Sequence, residues 1–379
     1  HGLVERPLIF SMDALARYPQ DWSRATFGPA QASEIAKLVT RYSQLAARRK
    51  PELIDADSFS LGGINREGGE FGAMVAEWQT LEQDMLRVRS ALRPEQRAAY
   101  FQLVEHPITA LANLYELYYA VAQNRRLAAV RDARANAVAD RAEAAFRRDQ
   151  EITNAYHALN DSKWAGMMAQ THIGYTGWQQ PEGQTMPQVK RVAAPAATVI
   201  SAAATDEASG AIAIEAPRYS RAVDAKGLAW RVIPNLGRTL GAVTAFPQGG
   251  APTAQQDGVR LEYDLSLRKG GNLIVYLYMV PTLDVGGDTA LRIGLSVDER
   301  PMQALSERLI PASGGESSQA ARDWSRAVQD NALVLQATFA NLEPGEHVIK
   351  VWRLDDNVVL QKIVASTDAV PPSYLGPQP

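Results

Sequence analysis

Apolar residues recur at helical spacing through the first half of the chain and at alternate positions through much of the second. Ile35, Leu38, Val39, Tyr42, Leu45 and Ala46 form one helical stripe, downstream of Pro29, which suits a helix start. Phe71, Met74, Val75, Trp78, Leu81, Met85, Val88 and Leu92 form a second. Pro94 predicts the opening of a third helix, which Pro107 should break or kink because it has no amide proton to donate. Leu111, Leu114, Tyr115, Tyr118 and Val121 carry a stripe beyond that point, and Val138, Ala142, Ala145, Phe146, Ile152 and Tyr156 mark a last long helix. Several long amphipathic helices with short connections predict an antiparallel bundle.

After residues 188–210, which are small and weakly patterned and read as a linker or extended crossing, the period switches to two. Leu261, Tyr263, Leu265 and Leu267 alternate with Glu262, Asp264, Ser266 and Arg268. That is the pattern of a strand with one buried face. Residues 273–280 are almost continuously apolar, as in a central strand, and Leu291, Ile293, Leu295 and Val297 alternate again. Residues 333–339, 347–354 and 358–364 complete a set of strands separated by Gly, Pro, Asn and Asp. The predicted fold is multi-domain: an antiparallel α-helical bundle followed by an antiparallel β-sandwich.

The 379 residues suffice for two domains with separate cores. A charged fraction of 21% and a net charge of -3 give no reason to expect nucleic acid or an anionic membrane as partner. No run of about 18 apolar residues is present to span a bilayer. There is no cysteine, which excludes disulfides, zinc–thiolate sites and cysteine nucleophiles. The arginines from Arg125 to Arg148 alternate with Asp132, Asp140, Glu143 and Asp149, so they read as a solvated, ion-paired face. The chain starts at His1, as a processed terminus or a fragment of something longer would.

Catalytic machinery is scarce. The five histidines have no metal-binding spacing, and no nucleophile elbow, phosphate loop or dinucleotide fingerprint occurs. Ser313-Gly314-Gly315 lacks a following lysine and reads as a surface turn. Asp355-Asp356-Asn357 and the pair Asp284 and Asp288 sit at turn positions, and neither has the EF-hand pattern for calcium. Tyr276 and Tyr278 alternate along a strand, which suits core packing as well as a sugar-stacking face. The most informative stretch is residues 162–187, SKWAGMMAQTHIGYTGWQQPEGQTMP, where the helical half ends. Polar aromatics beside amides on a loop are suited to contacting a sugar. The chemistry alone favours a plainer reading, a staple with Trp164 and Trp178 buried at a domain junction.

That stretch carries a family resemblance. Lys163-Trp164, Met167-Met168, residues 170–176 (QTHIGYT) and residues 178–181 (WQQP) closely resemble a signature of glycoside hydrolase family 115. Phe27-Gly28-Pro29, residues 48–53 (RRKPEL), His106-Pro107 with residues 112–114 (ANL), and Asn124-Arg125 look like the same family's helical region. Residues 214–216 (IEA) with Tyr219, Trp230 with Ile233-Pro234, residues 236–238 (LGR), 359–364 (VLQKIV) and 372–377 (PSYLGP) resemble its terminal sandwich. Ala165, Gly166, Ala169 and Gly177 depart from the pattern, and Gln361 stands where related sugar-binding modules often carry an acid.

The resemblance implies a xylan α-1,2-glucuronidase that removes glucuronic or 4-O-methylglucuronic acid branches, by inversion and without a cofactor. It implies an α/β domain, a catalytic barrel, a helical bundle and a β-sandwich, of which this chain matches the last two. Residues 1–20 are expected to be a remnant of the barrel's end, 21–168 the bundle, 169–210 the aromatic loop and linker, and 211–379 the sandwich. The catalytic carboxylates are then expected upstream of His1, with none in this chain, because barrel enzymes place their chemistry at the strand ends. His172, Tyr175, Trp178 and Gln179 are the candidate substrate contacts, and Arg48, Arg49 and Lys50 are candidates for steering an acidic sugar. The same trio would also suit a helix C-terminus. The expected partners are a xylan-derived polysaccharide or oligosaccharide, the catalytic barrel in cis or as a separate chain, and a second copy in a homodimer. No metal is expected, and the setting implied is secreted or periplasmic. Two other readings remain: a stand-alone carbohydrate-binding or scaffold protein presenting Tyr276, Tyr278 or Trp352, and a hydrolase using Asp355 and Asp356.

Overall fold

The computed structural model describes residues 12–62, 68–193, 211–283, 290–307, 318–370 and 373–377. It divides into two compact units, His1–Ala46 with Pro51–Asp206, and Ala47–Lys50 with Glu207–Pro379. Residues 5–11, Asp284, Asp288 and Ser313-Gly314-Gly315, singled out from the sequence, lie outside the described residues.

The first unit consists of helices α1 (Met12–Phe27), α2 (Ala32–Ala46), α3 (Gly69–Ser90), α4 (Pro94–Tyr100), α5 (His106–Ala129) and α6 (Arg134–His157). Residues 12–20, read from sequence as part of a barrel remnant, are the first half of α1. The stripes of α2, α3 and α5 are buried as expected, with Ile35, Leu45, Phe71, Trp78, Met85, Tyr115 and Val121 at the core. Helical structure continues through Pro107. A π turn at Phe101–Glu105 joins α4 to α5 and widens the helix just before the proline. Such widening relieves the clash a proline ring makes with the preceding turn.

Helix α6 differs in detail from its sequence reading. Its buried face is Ala135, Ala139, Ala142, Ala145, Asp149, Thr153 and Tyr156, while Val138, Phe146 and Ile152 flank it half-buried. Small side chains let α5 and α6 lie close together, and Asn113 and Asn124 of α5 donate to the carbonyls of Ala145 and Ala135. Of the acids expected to pair with the arginine run, Asp132 does so, with Arg134; Arg141 and Arg148 instead take Glu116 and Glu82 from other helices, and Arg125 takes Asp57.

Two asparagines hold an extended strap against this pair. Asn124 accepts from the Lys190 N–H and donates to the Lys190 carbonyl. Asn136 does the same at Val192, and Arg191 between them turns out to Asp140 and Glu143. A side-chain amide presents the donor and acceptor of a peptide group, so each asparagine completes a β-like pairing with one strap residue.

The second unit is an all-antiparallel sandwich. One sheet runs β3 (Ala229–Pro234), β4 (Gly241–Phe246), β11 (Leu360–Ser366), β6 (Gly271–Met279) and β9 (Leu333–Leu342), with β1 (Ile212–Glu215) also paired to β11. The other runs β2 (Arg221–Val223), β5 (Arg260–Leu267), β10 (Gly345–Arg353), β7 (Leu291–Val297) and β8 (Gln303–Glu307). Alternate residues Leu261, Tyr263, Leu265, Leu273, Val275, Leu277, Ile349 and Val351 fill the space between the sheets. Strands β1 to β4 and helix α7 (Gln319–Asp330) were not predicted. Ser318 caps α7 by accepting from the Ala321 N–H, and Asn331 ends it in a left-handed conformation.

Polar groups are buried in this unit in matched sets. Glu215 is 5% exposed and Lys362 2%. Lys362 Nζ lies 3.5 Å from Glu215 Oε1 and donates to the Leu375 carbonyl, while Glu215 Oε2 accepts from Thr239 and the Leu240 N–H. At another corner His347 donates through Nδ1 to Asp298 (2.8 Å) and through Nε2 to the Glu343 carbonyl (2.8 Å). Burial works against the imidazolium, but these bonds outweigh it and raise the His347 pKa; the same pairing lowers that of Asp298 against its own burial.

Two outcomes are expected. Lys362→Met, which strands Glu215 without its cation, lowers sandwich stability by about 3 kcal/mol, and adding Glu215→Leu recovers part of it, as read by urea unfolding. The His347 contribution is present below its unfolded pKa of about 6.5 and is lost as pH rises through the raised folded value. The melting temperature of the native chain therefore falls from mildly acidic to alkaline pH more than that of His347→Gln.

Candidate functional site

The loop at residues 162–187 has no regular secondary structure beyond turns, yet side chains tie it down along its length. Helix α6 ends at His157, and Asn160, Asp161 and Ser162 follow with φ of 50°, 53° and 63°. Three consecutive left-handed residues reverse the chain at a cost of about 1 kcal/mol each. Lys163 then lies over the Trp164 ring at 4.8 Å from its centre. The Met168 N–H donates to His157 Nε2 at 3.2 Å.

Asp149 anchors the next stretch. It is 8% exposed and continues the buried alanine face of α6. Its Oδ2 faces His172 Nδ1 at 3.2 Å and accepts from Gln184 Nε2 at 3.0 Å. Gln184 Oε1 in turn accepts from the N–H groups of His172 (3.1 Å) and Ile173 (2.7 Å). One carboxylate and one amide thereby join the two arms of the loop and fix both to the helix. Thr171 Oγ1 donates to the Pro181 carbonyl. Gly174 has φ of 103°, and a Cβ there would meet Thr185 at 3.0 Å, so this turn requires glycine.

His106, at the start of α5, completes the cluster. Its ring packs on Tyr156 with centroids 4.7 Å apart. Burial first, then the charge of His172, push its pKa down to about 4, with His157 adding to the effect and Asp149 opposing it.

The candidate contacts named from sequence divide in two. His172 and Tyr175 are half-buried, with His172 on Asp149 and the Tyr175 hydroxyl accepting from Gln170. Gln179 is exposed, and so is Trp178 at 41%, more than any other tryptophan among the described residues. Arg48, Arg49 and Lys50 group with the second unit. Arg48 and Arg49 are buried, and Arg49 Nη1 donates to Asp330 at 2.7 Å while its guanidinium lies 5.6 Å from the Tyr374 ring centre. Arg238 covers the same ring at 4.8 Å, and the Tyr374 hydroxyl donates to the Arg48 carbonyl. Burial first, then the Asp330 charge, raise the Tyr374 pKa. Lys50 is exposed and its N–H donates to the Gln329 carbonyl. Asp149 and Gln184 were not singled out from sequence as site residues. The spacing of Asp149 from Ala142 and Ala145 was the available signal.

Asp355 and Asp356 hold loops. Asp355 accepts from the Arg292 side chain at 2.9 and 2.7 Å and from its N–H at 2.8 Å; burial opposes ionisation, but these bonds prevail and lower its pKa. Asp356 accepts from the Gly249 N–H and lies 3.5 Å from the buried Arg353 guanidinium. A carboxylate held ionised by arginine is a poor general acid. Among the described residues no group of His, Asp and Glu has the geometry of a metal site.

Residues 206–379 match the family model described as the glycosyl hydrolase family 115 C-terminal domain. The fold matches a solved family GH115 4-O-methyl-α-glucuronidase, BtGH115A, with specificity for decorated arabinogalactans, at 17% identity and a TM-score of 0.67. The match covers 95% of this chain and 43% of that one, so the chain spans less than half of that enzyme. Shorter matches fall on a family 35 carbohydrate-binding module from Clostridium thermocellum (11% identity, 41% of this chain, 98% of that one, TM-score 0.28) and on the C-terminal CBM6 of LamC from Zobellia galactanivorans (15%, 41%, 98%, 0.26). No curated protein sequence matches the chain.

Gln184→Ala is expected to free the His172 and Ile173 amides, raising their hydrogen exchange about tenfold while the α3 and α5 cores keep their protection. Site-resolved exchange checks this.

Proposed function

We propose, from the match of residues 206–379 to the glycosyl hydrolase family 115 C-terminal domain, that this chain is the accessory region of a glycan-acting hydrolase. Its parent activity would remove glucuronic or 4-O-methylglucuronic acid branches from glucuronoxylan. The catalytic carboxylates belong to a barrel in cis or on a separate chain, and the loop at residues 162–187 forms one wall of the substrate cleft. The observation that carries this reading is the pairing of an exposed Trp178 with a loop fixed by Asp149 and Gln184. An aromatic face already held in place binds a sugar ring without the cost of ordering a mobile loop. Polymeric xylan does not cross membranes, so this reading places the protein in a secreted or periplasmic setting.

The stand-alone carbohydrate-binding reading is less well supported. Trp352 is buried, Tyr276 and Tyr278 are half-buried, and among the described residues of the sandwich no aromatic side chain is exposed.

The purified chain, folded by circular dichroism, is expected to release no free uronic acid from glucuronoxylan. Release that survives repurification would contradict the accessory reading.

A further inference from the structure

We propose that the hydrogen bond from the Met168 N–H to His157 Nε2 is a proton-sensitive latch, releasing the Lys163–Trp164–Met168 arm of the loop in acid while the His172–Ile173 arm stays bound. As regulation of a sugar-contacting loop, it rests on the functional reading above; as a property of the loop, it does not.

The two attachments respond to a proton in opposite ways. A backbone N–H can only donate, so His157 holds Met168 through the lone pair on Nε2. A proton on that nitrogen turns an acceptor into a donor and removes the bond. His172 faces a carboxylate instead, with Nδ1 at 3.2 Å from Asp149 Oδ2. A positive His172 strengthens that pair. The Ile173 N–H bonds to Gln184, which does not titrate, and Gln184 bonds to Asp149.

His157 lies in the last turn of α6. The titratable groups gathered with it are Asp149 on its own helix, His106 from the start of α5 and His172 from the loop. Asp161 and Lys163 flank the turn that follows. Burial keeps His106 neutral until strongly acidic pH. The remaining backbone bonds of this arm are local turns, such as Ala165 N–H to the Ser162 carbonyl and Met167 N–H to the Trp164 carbonyl, so the Met168 bond is the one that ties it to α6.

Site-resolved amide hydrogen exchange on the full chain at about pH 8 and about pH 5, corrected for intrinsic rates, tests the latch without any ligand. Met168 protection is expected to fall about tenfold on acidification while Ile173 protection holds. In His157→Gln, whose amide oxygen accepts without titrating, the pH difference at Met168 should vanish; His157→Asn provides a second non-titrating variant. Unchanged Met168 protection, joint loss at Met168 and Ile173, or a pH difference that persists in both folded variants would overturn the proposal. Because no sugar is present, failure of the loop to bind a glycan would leave this outcome untouched.

Discussion

A carboxylate placed on the buried face of a helix sets the terms for the rest of the candidate site. Asp149 stands where the alanine face of α6 would carry another small apolar residue, and the charge must be matched or the helix face cannot be buried. Gln184 and His172 match it, and both come from the loop. The helix therefore needs the loop for its own packing, and the loop acquires a fixed position in return. Trp178 lies between the two tied arms and is exposed.

The second unit uses the same physics for a different end. Glu215 with Lys362, Asp355 with Arg292 and Arg353 with the carbonyls of Gly250 and Ala251 are charged groups committed to closing the sandwich. Gln361 adds two donated bonds to carbonyls and accepts the Arg238 N–H, and Arg238 covers Tyr374. Residues that look like chemistry in the sequence are here the fasteners of loops and of the C-terminal segment. An ammonium group already sits beside Glu215, so that acid is balanced from within the chain.

Helical spacing in α2, α3 and α5 and alternation in β5, β6, β7 and β10 made the two architectures legible, because burial of one face is a local, periodic demand. Short edge strands such as β2 and the inserted α7 impose no such repeat over enough residues to be read. On α6 the apolar residues Val138, Phe146 and Ile152 drew attention to a flank, whereas alanines and an acid form the buried face. The aromatic loop was legible as a candidate from its residue types. Its anchors were not: the bonds of Gln184 and Asp149 span 35 positions and depend on packing. The basic trio illustrates the converse, since Arg48 and Arg49 look available in the sequence and are buried in the fold.

The central claim is that a loop held in advance presents Trp178 to a sugar. Titration calorimetry of a xylo-oligosaccharide bearing a 4-O-methylglucuronic acid branch, with the native chain and with Trp178→Ala, tests it most directly. The account predicts binding by the native chain that weakens about tenfold in the variant, the worth of one aromatic stacking contact. Equal affinity in the two proteins would contradict it.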